Sequence, residues 1–387
     1  MSIKKFNDFR KFQLPQDVID ISNEYIKNNK EIFVVGGAVR DFIMGIEPKD
    51  YDLVTNALPE ESIKILKKFN VSDEQGKSFG VIRVFTKDEP EGYEIASYRR
   101  DISLGRDTKG DDQKVEMGKN VTMEDDCQRR DLTINALYYD IKNDKIVDLV
   151  GGINDIKNNI IRVVGNPSER FIEDRLRICR IFRFASRTQS KIDKLTSESI
   201  KKDNRLRNVS VKEDVSQERI WDEFKKSFKQ SKDFNFYLNL LTEYDMWEEM
   251  FPNSNINKDF IKSNNFLIVL VNLFKLEDTS KLEKKLVQDF KIEGDLSKKI
   301  VFFINLFNFD SDNVFDIYKK KVQCGVSSYD IIPFFDTFKK EVDYNSLIKF
   351  SKYKPSVSSE ELMKQGFKGK ELGEEIKRLE SEIFKKY

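Results

Sequence analysis

Apolar positions in the first hundred residues alternate between two periods. From Pro15 to Lys27, Val18, Ile19, Ile21 and Ile26 recur among polar residues at helical spacing, which predicts an amphipathic helix. Glu31 to Val35 is a short apolar run and predicts a buried strand. Ala38 to Met44 returns to helical spacing, and Gly45 is its stop. Tyr51 to Thr55 predicts a second strand. Pro59-Glu60-Glu61 opens a helix with proline in the first turn and acids at the positive end of the dipole; it runs to about Phe69. Ser78 to Thr86 and Tyr93 to Arg99 read as strands, joined by the turn Asp88-Glu89-Pro90-Glu91-Gly92. Leu137-Tyr138-Tyr139 adds another.

Farther along, the pattern becomes helical. Asp101 to Asn120 is polar, contains Gly105, Gly110 and Gly118, and has no periodicity, so a long mobile loop is expected there. Ser168 to Arg187 reads as one helix, with Ile172, Leu176, Cys179 and Phe182 as its apolar stripe. Further amphipathic stretches run from Arg219 to Phe228, Phe234 to Trp247, Phe260 to Phe274, Lys281 to Phe290 and Ser297 to Phe307. The expected class is α+β: a small mixed-sheet head over residues 1–145, then an all-helical C-terminal part. That part divides into a neck (146–210), a body (211–330) and a tail (331–387).

Composition narrows the chemistry. Among the 387 residues, 35% are charged and no apolar run is long enough to span a bilayer. The start, Met1-Ser2-Ile3-Lys4-Lys5, lacks the apolar core of a secretion signal. Cys127, Cys179 and Cys324 are odd in number and far apart, which suits free thiols in a reducing cytoplasm. Histidine is absent. That excludes Ser-His-Asp and Cys-His machinery and His-ligated zinc, leaving proton transfer to carboxylates, Lys, Tyr, Cys or water. A net charge of +1 leaves nucleic-acid binding to local patches. Most of the 31 phenylalanines are expected in the core.

The candidate chemistry starts at Asp50 and Asp52. If Tyr51 to Val54 is a strand, both carboxylates point to one face. Paired hard oxygen donors of this kind select Mg²⁺. Gly36 and Gly37 end the first strand and open a helix, so bare backbone N–H groups face an anion, commonly phosphate. Glu94, on a neighbouring strand, is either a third carboxylate of the same site or a surface acid of an edge strand. Arg129-Arg130-Asp131-Leu132-Thr133-Ile134-Asn135-Ala136 sets two arginines and two polar caps just before a strand. Such a group suits a ribose and a triphosphate, or an exposed cap with internal ion pairs. On the Ser168–Arg187 helix, Asp174 and Arg177 form an acceptor beside a donor. Cytosine and adenine present a complementary donor-then-acceptor edge; uracil and guanine present the reverse. The alternative there is a Glu173–Arg177 surface ion pair.

Together these strings resemble one family. Val35-Gly36-Gly37-Ala38-Val39-Arg40-Asp41 with Asp50-Tyr51-Asp52-Leu53-Val54-Thr55 resembles the nucleotidyltransferase signature of the polymerase-β-like superfamily. The Arg129–Ala136 string resembles the ribose motif of the bacterial and eukaryotic class of tRNA CCA-adding enzymes, a head that bacterial poly(A) polymerases share. Glu173-Asp174-Arg175-Leu176-Arg177-Ile178-Cys179-Arg180 resembles that class's base-reading helix, although Arg175 stands where the family often carries a small residue or proline. The resemblance runs from about Phe33 to Ser186, with a weaker match at Val215-Ser216-Gln217-Glu218-Arg219-Ile220.

The resemblance implies a nucleotidyltransferase head with Asp50 and Asp52 as Mg²⁺ ligands and Glu94 as a further catalytic acid. It implies Gly36, Gly37 and Arg40 at the triphosphate, and Arg130, Asp131 and Asn135 at the ribose. Asp174 and Arg177 would read the base, with Arg180 at phosphate or the RNA end. The implied activity is template-independent addition of C and A to the tRNA 3′ end from CTP and ATP, in the cytoplasm. Gly76-Lys77-Ser78-Phe79-Gly80-Val81-Ile82 resembles the CCA-adding version of its strand more than the poly(A) version. Poly(A) polymerase, CC-only and A-only activities remain alternatives, as do a catalytically inactive tRNA-binding protein and a transferase acting on a small molecule.

Overall fold

A computed structural model describes residues 12–72, 80–102, 114–118, 120–206 and 215–386. The chain divides into two compact units. One runs to Ser216 and takes in Lys229–Lys232; the other holds Gln217–Phe228 and Asp233 onward. The head and neck expected from sequence fall in the first unit, and most of the body and the tail fall in the second.

The first unit opens with α1 (Gln16–Lys27), β1 (Ile32–Val35), α2 (Gly37–Ile43), β2 (Asp52–Thr55), α3 (Pro59–Ile65) and β3 (Asn70–Ser72). It continues with β4 (Val81–Phe85), β5 (Tyr93–Ser97), β6 (Arg99–Ile102), β7 (Lys114–Met117), α4 (Met123–Gln128), β8 (Leu137–Asp140) and β9 (Lys145–Asp148). It closes with α5 (Gly152–Asn158), β10 (Ile160–Ile161), α6 (Pro167–Glu173), α7 (Leu176–Thr188), β11 (Lys191–Ile192) and α8 (Lys194–Lys202).

Seven strands form one mixed sheet in the order β3-β4-β5-β2-β1-β8-β9. Only β2 and β5 run parallel; the other neighbours are antiparallel. β1 is buried along its whole length because alternate residues serve two cores. Ile32 and Val34 join Val18, Ile21 and Tyr25 of α1 and Val39 of α2 on one face. Phe33 and Val35 join Val54, Tyr98, Cys127 and Tyr138 on the other. The second face is the one that α4 covers, and Asp52 and Glu94 stand on it.

Two expectations are corrected. The flanks of the expected loop at Asp101–Asn120 pair as an antiparallel hairpin, β6 with β7, in the register Arg100↔Glu116; residues 103–113 and 119 lie outside those described. The helix expected over Ser168–Arg187 is two helices, α6 and α7. Asp174 at the junction is extended, at φ −153° and ψ 105°. The break turns Ile172 out to 61% exposure, while Leu176, Cys179 and Phe182 are buried as the stripe predicts. Residues 73–79, which hold most of the Gly76–Ile82 string, lie outside those described.

The second unit is helical: α9 (Gln217–Gln230), α10 (Phe234–Glu243), α11 (Trp247–Met250), α12 (Phe266–Phe274), α13 (Thr279–Gln288) and α14 (Gly294–Asn305), then α15 (Val314–Gln323), α16 (Ser328–Phe338), α17 (Tyr344–Lys352), α18 (Ser359–Lys364) and α19 (Gly369–Lys386). Most of its phenylalanines are core residues: Phe224, Phe251, Phe274, Phe290, Phe303 and Phe334 are fully buried. Rings of Phe224 and Phe251 meet edge to face at 5.3 Å, a favoured aromatic geometry. Buried Glu380 of α19 accepts from the Tyr353 hydroxyl and from the backbone N–H groups of Ser356 and Val357. Among the described residues no helix is long and apolar enough to cross a membrane.

Candidate active site

The glycine turn is set by backbone conformation. Gly36 sits at φ +71° and ψ −121°, a region closed to residues with a Cβ, and precedes the first residue of α2. Its N–H donates to Leu137 O at 3.1 Å, which ties the turn to β8. A Cβ at Gly36 would lie 3.7 Å from Asn135 O and 3.9 Å from Nη1 of Arg130, so space alone does not demand glycine. Those neighbours show that the turn and the Arg129–Asn135 segment, far apart in sequence, meet here.

The acids lie beside this turn. Asp52 is the first residue of β2 and pairs with Val35, the residue before Gly36. The parallel register Leu53↔Ile95 sets Glu94 next to Asp52 on the same face. Asp50 precedes the strand, so alternation along β2 does not place it. Its charge lies near enough to act on Asp52. Surrounding protein and the charge of Glu94 push the Asp52 pKa up; Arg130 pulls it back, and Asp50 raises it further. Both aspartates are exposed. Glu94 forms an ion pair with Arg83 of β4, as a surface acid does. Among the described residues no group of three or more acids or cysteines is positioned to hold a metal. Asp50 and Asp52 are two solvent-accessible carboxylates crowded by like charge, oxygen donors of the kind a hard divalent cation takes.

Arg129 and Arg130 are held by a residue the sequence reading overlooked. Asp126 of α4 is fully buried. Its Oδ1 accepts from Nε and Nη2 of Arg129 at 2.9 and 2.6 Å. Its Oδ2 accepts from Nε and Nη2 of Arg130 at 3.1 and 2.8 Å and from the Tyr138 hydroxyl at 2.8 Å. Burial raises the Asp126 pKa, but the two guanidiniums and the hydroxyl outweigh it and hold it below the ordinary value. The guanidinium of Arg130 also packs over the Tyr138 ring, 5.2 Å from its centroid. The legible signal was the i, i+3, i+4 spacing of Asp126, Arg129 and Arg130.

Asp131 and Asn135 lie at the same place but are already partnered. Asp131 Oδ1 accepts from Leu132 N at 2.8 Å and Asn135 Nδ2 at 3.3 Å, and its Oδ2 is 2.7 Å from Nη2 of Arg180. Burial raises the Asp131 pKa, and Arg180 with these donors brings it below normal. Arg40, expected at the triphosphate, is only 2% exposed. It lies on the inner side of α2, donates through Nε and Nη2 to Asp41 Oδ1 and through Nη1 to Asn135 Oδ1, and stacks over Phe184 at 5.2 Å. Its charge is committed to these partners, which removes it from the open face.

At the α6–α7 junction, Asp174 Oδ1 accepts from Leu176 N at 3.1 Å. Arg177 donates through Nη1 to Glu173 Oε2 and to Arg170 O, each at 2.7 Å. The Glu173–Arg177 pair named as the alternative thus forms. Asp174 and Arg177 are not stacked on one helix, because the break comes between them. Arg175 pairs with Asp203 at 2.7 Å.

The model of the Poly A polymerase head domain matches residues 32–162. A CCA-adding enzyme of Ligilactobacillus salivarius is 31% identical over 379 residues, covering 91% of this chain and 88% of that protein. Poly(A) polymerase I of Escherichia coli is 32% identical over 245 residues, 62% of this chain and 50% of that protein. The chain thus spans about half the length of the poly(A) polymerases it matches. In fold it is similar to the Bacillus stearothermophilus CCA-adding enzyme in complex with CTP, with a TM-score of 0.66 and 20% identity over 97% of this chain and 94% of that one. It is similar also to the Thermotoga maritima CCA-adding enzyme complexed with tRNA, with a TM-score of 0.65 and 19% identity over 97% and 93%.

Proposed function

Because the chain belongs to the family that joins CCA-adding enzymes and bacterial poly(A) polymerases, we propose that it is a template-independent nucleotidyltransferase that adds C and A to the tRNA 3′ end from CTP and ATP. One observation carries the choice within the family. Similarity to a CCA-adding enzyme extends over 88% of that protein, whereas similarity to poly(A) polymerase I stops at half. The runner-up is poly(A) addition, favoured by the equal identity of the shared head. We place the activity in the cytoplasm, in keeping with three free cysteines.

Nucleotidyltransferases of this family generally use a divalent metal ion, and we assign it as Mg²⁺ held by Asp50 and Asp52. When bound there it supplies positive charge to the triphosphate and the attacking oxygen. The residues of the chain do the rest. The Gly36–Gly37 turn lets phosphate oxygens approach the backbone at the start of α2 from Gly37 onward, the Gly36 N–H being engaged by Leu137 O. Arg130, fixed by Asp126, presents its remaining Nη1 beside that turn. Asp131 and Asn135 are assigned to the ribose, whose hydroxyls share Asp131 Oδ2 with Arg180 and Asn135 Oδ1 with Arg40. Asp174 and Arg177 read the base edge, Arg177 exchanging Glu173 for the base, and Arg180 meets phosphate or the RNA end. The RNA 3′-hydroxyl attacks the α-phosphorus in line and gives its proton to water, a new phosphodiester bond forms, the bond to the β-phosphate oxygen breaks, and pyrophosphate leaves.

The test is a single incorporation assay with Mg²⁺, each NTP alone and in mixture, and tRNAs ending before, within and after CCA. Products that stop at CCA support the assignment. Products stopping at CC, a single added A, or a lengthening A tract assign it to the corresponding relative. No product with any NTP overturns the enzyme assignment.

A further inference from the structure

α7 is fastened to the head along one face by two arginines seven residues apart. Two helical turns separate Arg180 from Arg187, about 10 Å along the axis, so both side chains project on the same side. Arg180 pairs with Asp131 at 2.7 Å, and Arg187 pairs with Asp41 Oδ2 at 2.8 Å. The two anchors are themselves joined. Asp41 Oδ1 takes Nε and Nη2 of Arg40, Arg40 Nη1 donates to Asn135, and Asn135 Nδ2 donates to Asp131. The result is a ring of six polar side chains that α7 closes. Phe184 of α7 packs against one member of it, with the Arg40 guanidinium 5.2 Å from its ring.

This ring links two parts of the site. Arg40 and Asp41 lie on α2, which begins at the glycine turn. Arg177, assigned to the base, lies one turn before Arg180 on α7. Because the chain is extended at Asp174, α7 inherits no helical direction from α6. Its buried stripe, with Leu176, Cys179 and Phe182, seats it in the core, and the Arg180 and Arg187 pairs fix it against the head.

We propose that Asp41 and Arg187 are positioning residues that set base selectivity, holding α7 at the angle where Arg177 addresses a base whose triphosphate sits at the Gly36–Gly37 turn. The proposal rests on the nucleotidyltransferase reading above. Neither residue touches the nucleotide. Loosening the Asp41 end lets the C-terminal end of α7 shift against α2 about the Arg180 anchor, which blurs the readout of the base edge without removing any group that contacts substrate.

The test compares kcat/KM for CTP and ATP with that for UTP and GTP, on tRNA lacking its last nucleotides. It uses the unsubstituted chain, Arg187→Gln, Arg187→Lys, Asp41→Asn and the Asp41→Asn/Arg187→Gln double variant. The ratio is independent of the fraction of folded enzyme, so a merely structural lesion lowers all four rates alike and leaves the ratio in place. The expected result is a fall in the ratio of about tenfold in Arg187→Gln and in Asp41→Asn, and no further in the double variant. Arg187→Lys, which keeps the charge, retains most of the selectivity. Arg187 is part-exposed, with 28% of its side chain accessible, so its variants carry the test even where Asp41→Asn folds poorly. An unchanged ratio in Arg187→Gln overturns the proposal, and so does an equal loss on all four nucleotides. An unsubstituted chain without any C/A preference overturns the reading beneath it, a distinguishable failure.

Discussion

The carboxylate of Asp126, buried completely, grips the guanidinium of Arg130 through Nε and Nη2, the latter at 2.8 Å. The same carboxylate holds Arg129 through its other oxygen. Breaking a buried pair by neutralising one partner leaves an uncompensated charge and costs about 3–5 kcal/mol. Asp126→Asn is expected to lose stability on that scale and to weaken CTP and ATP binding, since Arg130 loses its aim at the glycine turn. Urea unfolding gives the first quantity as a lower midpoint at unchanged slope, and nucleotide titration of the folded fraction gives the second. A variant as stable as the parent would show that the arginines are held by something else.

Asp50 and Asp52 contrast with this. Both are exposed, and Asp52 is already disfavoured as an anion by its surroundings and by Glu94. Asp50→Ala and Asp52→Ala are expected to change stability by no more than about 0.5 kcal/mol, as surface substitutions do, while abolishing incorporation. Chelation of divalent metal abolishes it too, and added Mg²⁺ restores it. Turnover at the parental rate in either variant would remove the ligand assignment.

How much of this was legible beforehand depended on whether the determining contacts were local. The run Phe33–Val35, the Gly36–Gly37 turn and the Asp50/Asp52 spacing are local signals, and β1, α2 and β2 form there within a residue or so of expectation. The burial of Arg40 was not legible, because its partners Asn135 and Phe184 come from segments about 95 and 144 residues away, which only the tertiary fold brings near. The break at Asp174 was hidden because the hydrophobic stripe continues through it; only Ile172, turned outward, betrays the change of direction. The hairpin β6–β7 was missed because its flanks carry few apolar residues, and its pairing leans on Arg100 reaching both Glu116 and Asp125.

The glycines of the turn serve different ends, and alanine separates them. At Gly36 the positive φ makes any Cβ strained, so Gly36→Ala should cost about 1–3 kcal/mol of stability. Gly37 has an ordinary helical conformation, and an added Cβ meets only Arg40 Nη2 at 3.7 Å. Gly37→Ala should therefore leave the fold as stable or up to about 1 kcal/mol more so, by helix propensity. If phosphate approaches this backbone, the same variant raises KM for both CTP and ATP. Thermal unfolding and steady-state kinetics on the two variants give the comparison; equal effects on stability would show that conformation is not what distinguishes the two positions.

Acid stability should report on Asp125. Its carboxylate accepts from Arg100 and from the backbone N–H and hydroxyl of Thr122, the cap of α4, and the Arg100 hydrogen bond is the main reason its pKa is pulled down to about 2. A carboxylate with a lowered folded pKa adds stability above its unfolded pKa and loses it as pH falls through the folded one. The window therefore runs from about 4 down to about 2. Arg100→Met should be less stable than the parent at neutral pH, and the gap should close through that window. The check is the unfolding midpoint of both proteins at a series of pH values. A gap that persists unchanged below about pH 2 would assign the effect to packing by the Arg100 stem instead.

The base-reading assignment makes the sharpest demand, because the structure shows Arg177 occupied. Its guanidinium sits on Glu173 at 2.7 Å, so Glu173 competes with any incoming base. Glu173→Gln weakens that competitor without touching the reader, and KM for CTP and ATP should fall while selectivity against UTP and GTP stays. Exchanging Asp174 and Arg177 reverses the order of acceptor and donor offered to the base, which turns the preference toward UTP and GTP. The exchange carries a cost of its own. Asp174 accepts from Leu176 N at the start of α7, and losing that hydrogen bond destabilises by about 1 kcal/mol. Stability must accordingly be measured beside selectivity, and the ratio of rates among the four nucleotides decides the outcome. If the exchanged protein folds and still prefers C and A, the choice of base is made elsewhere in the site.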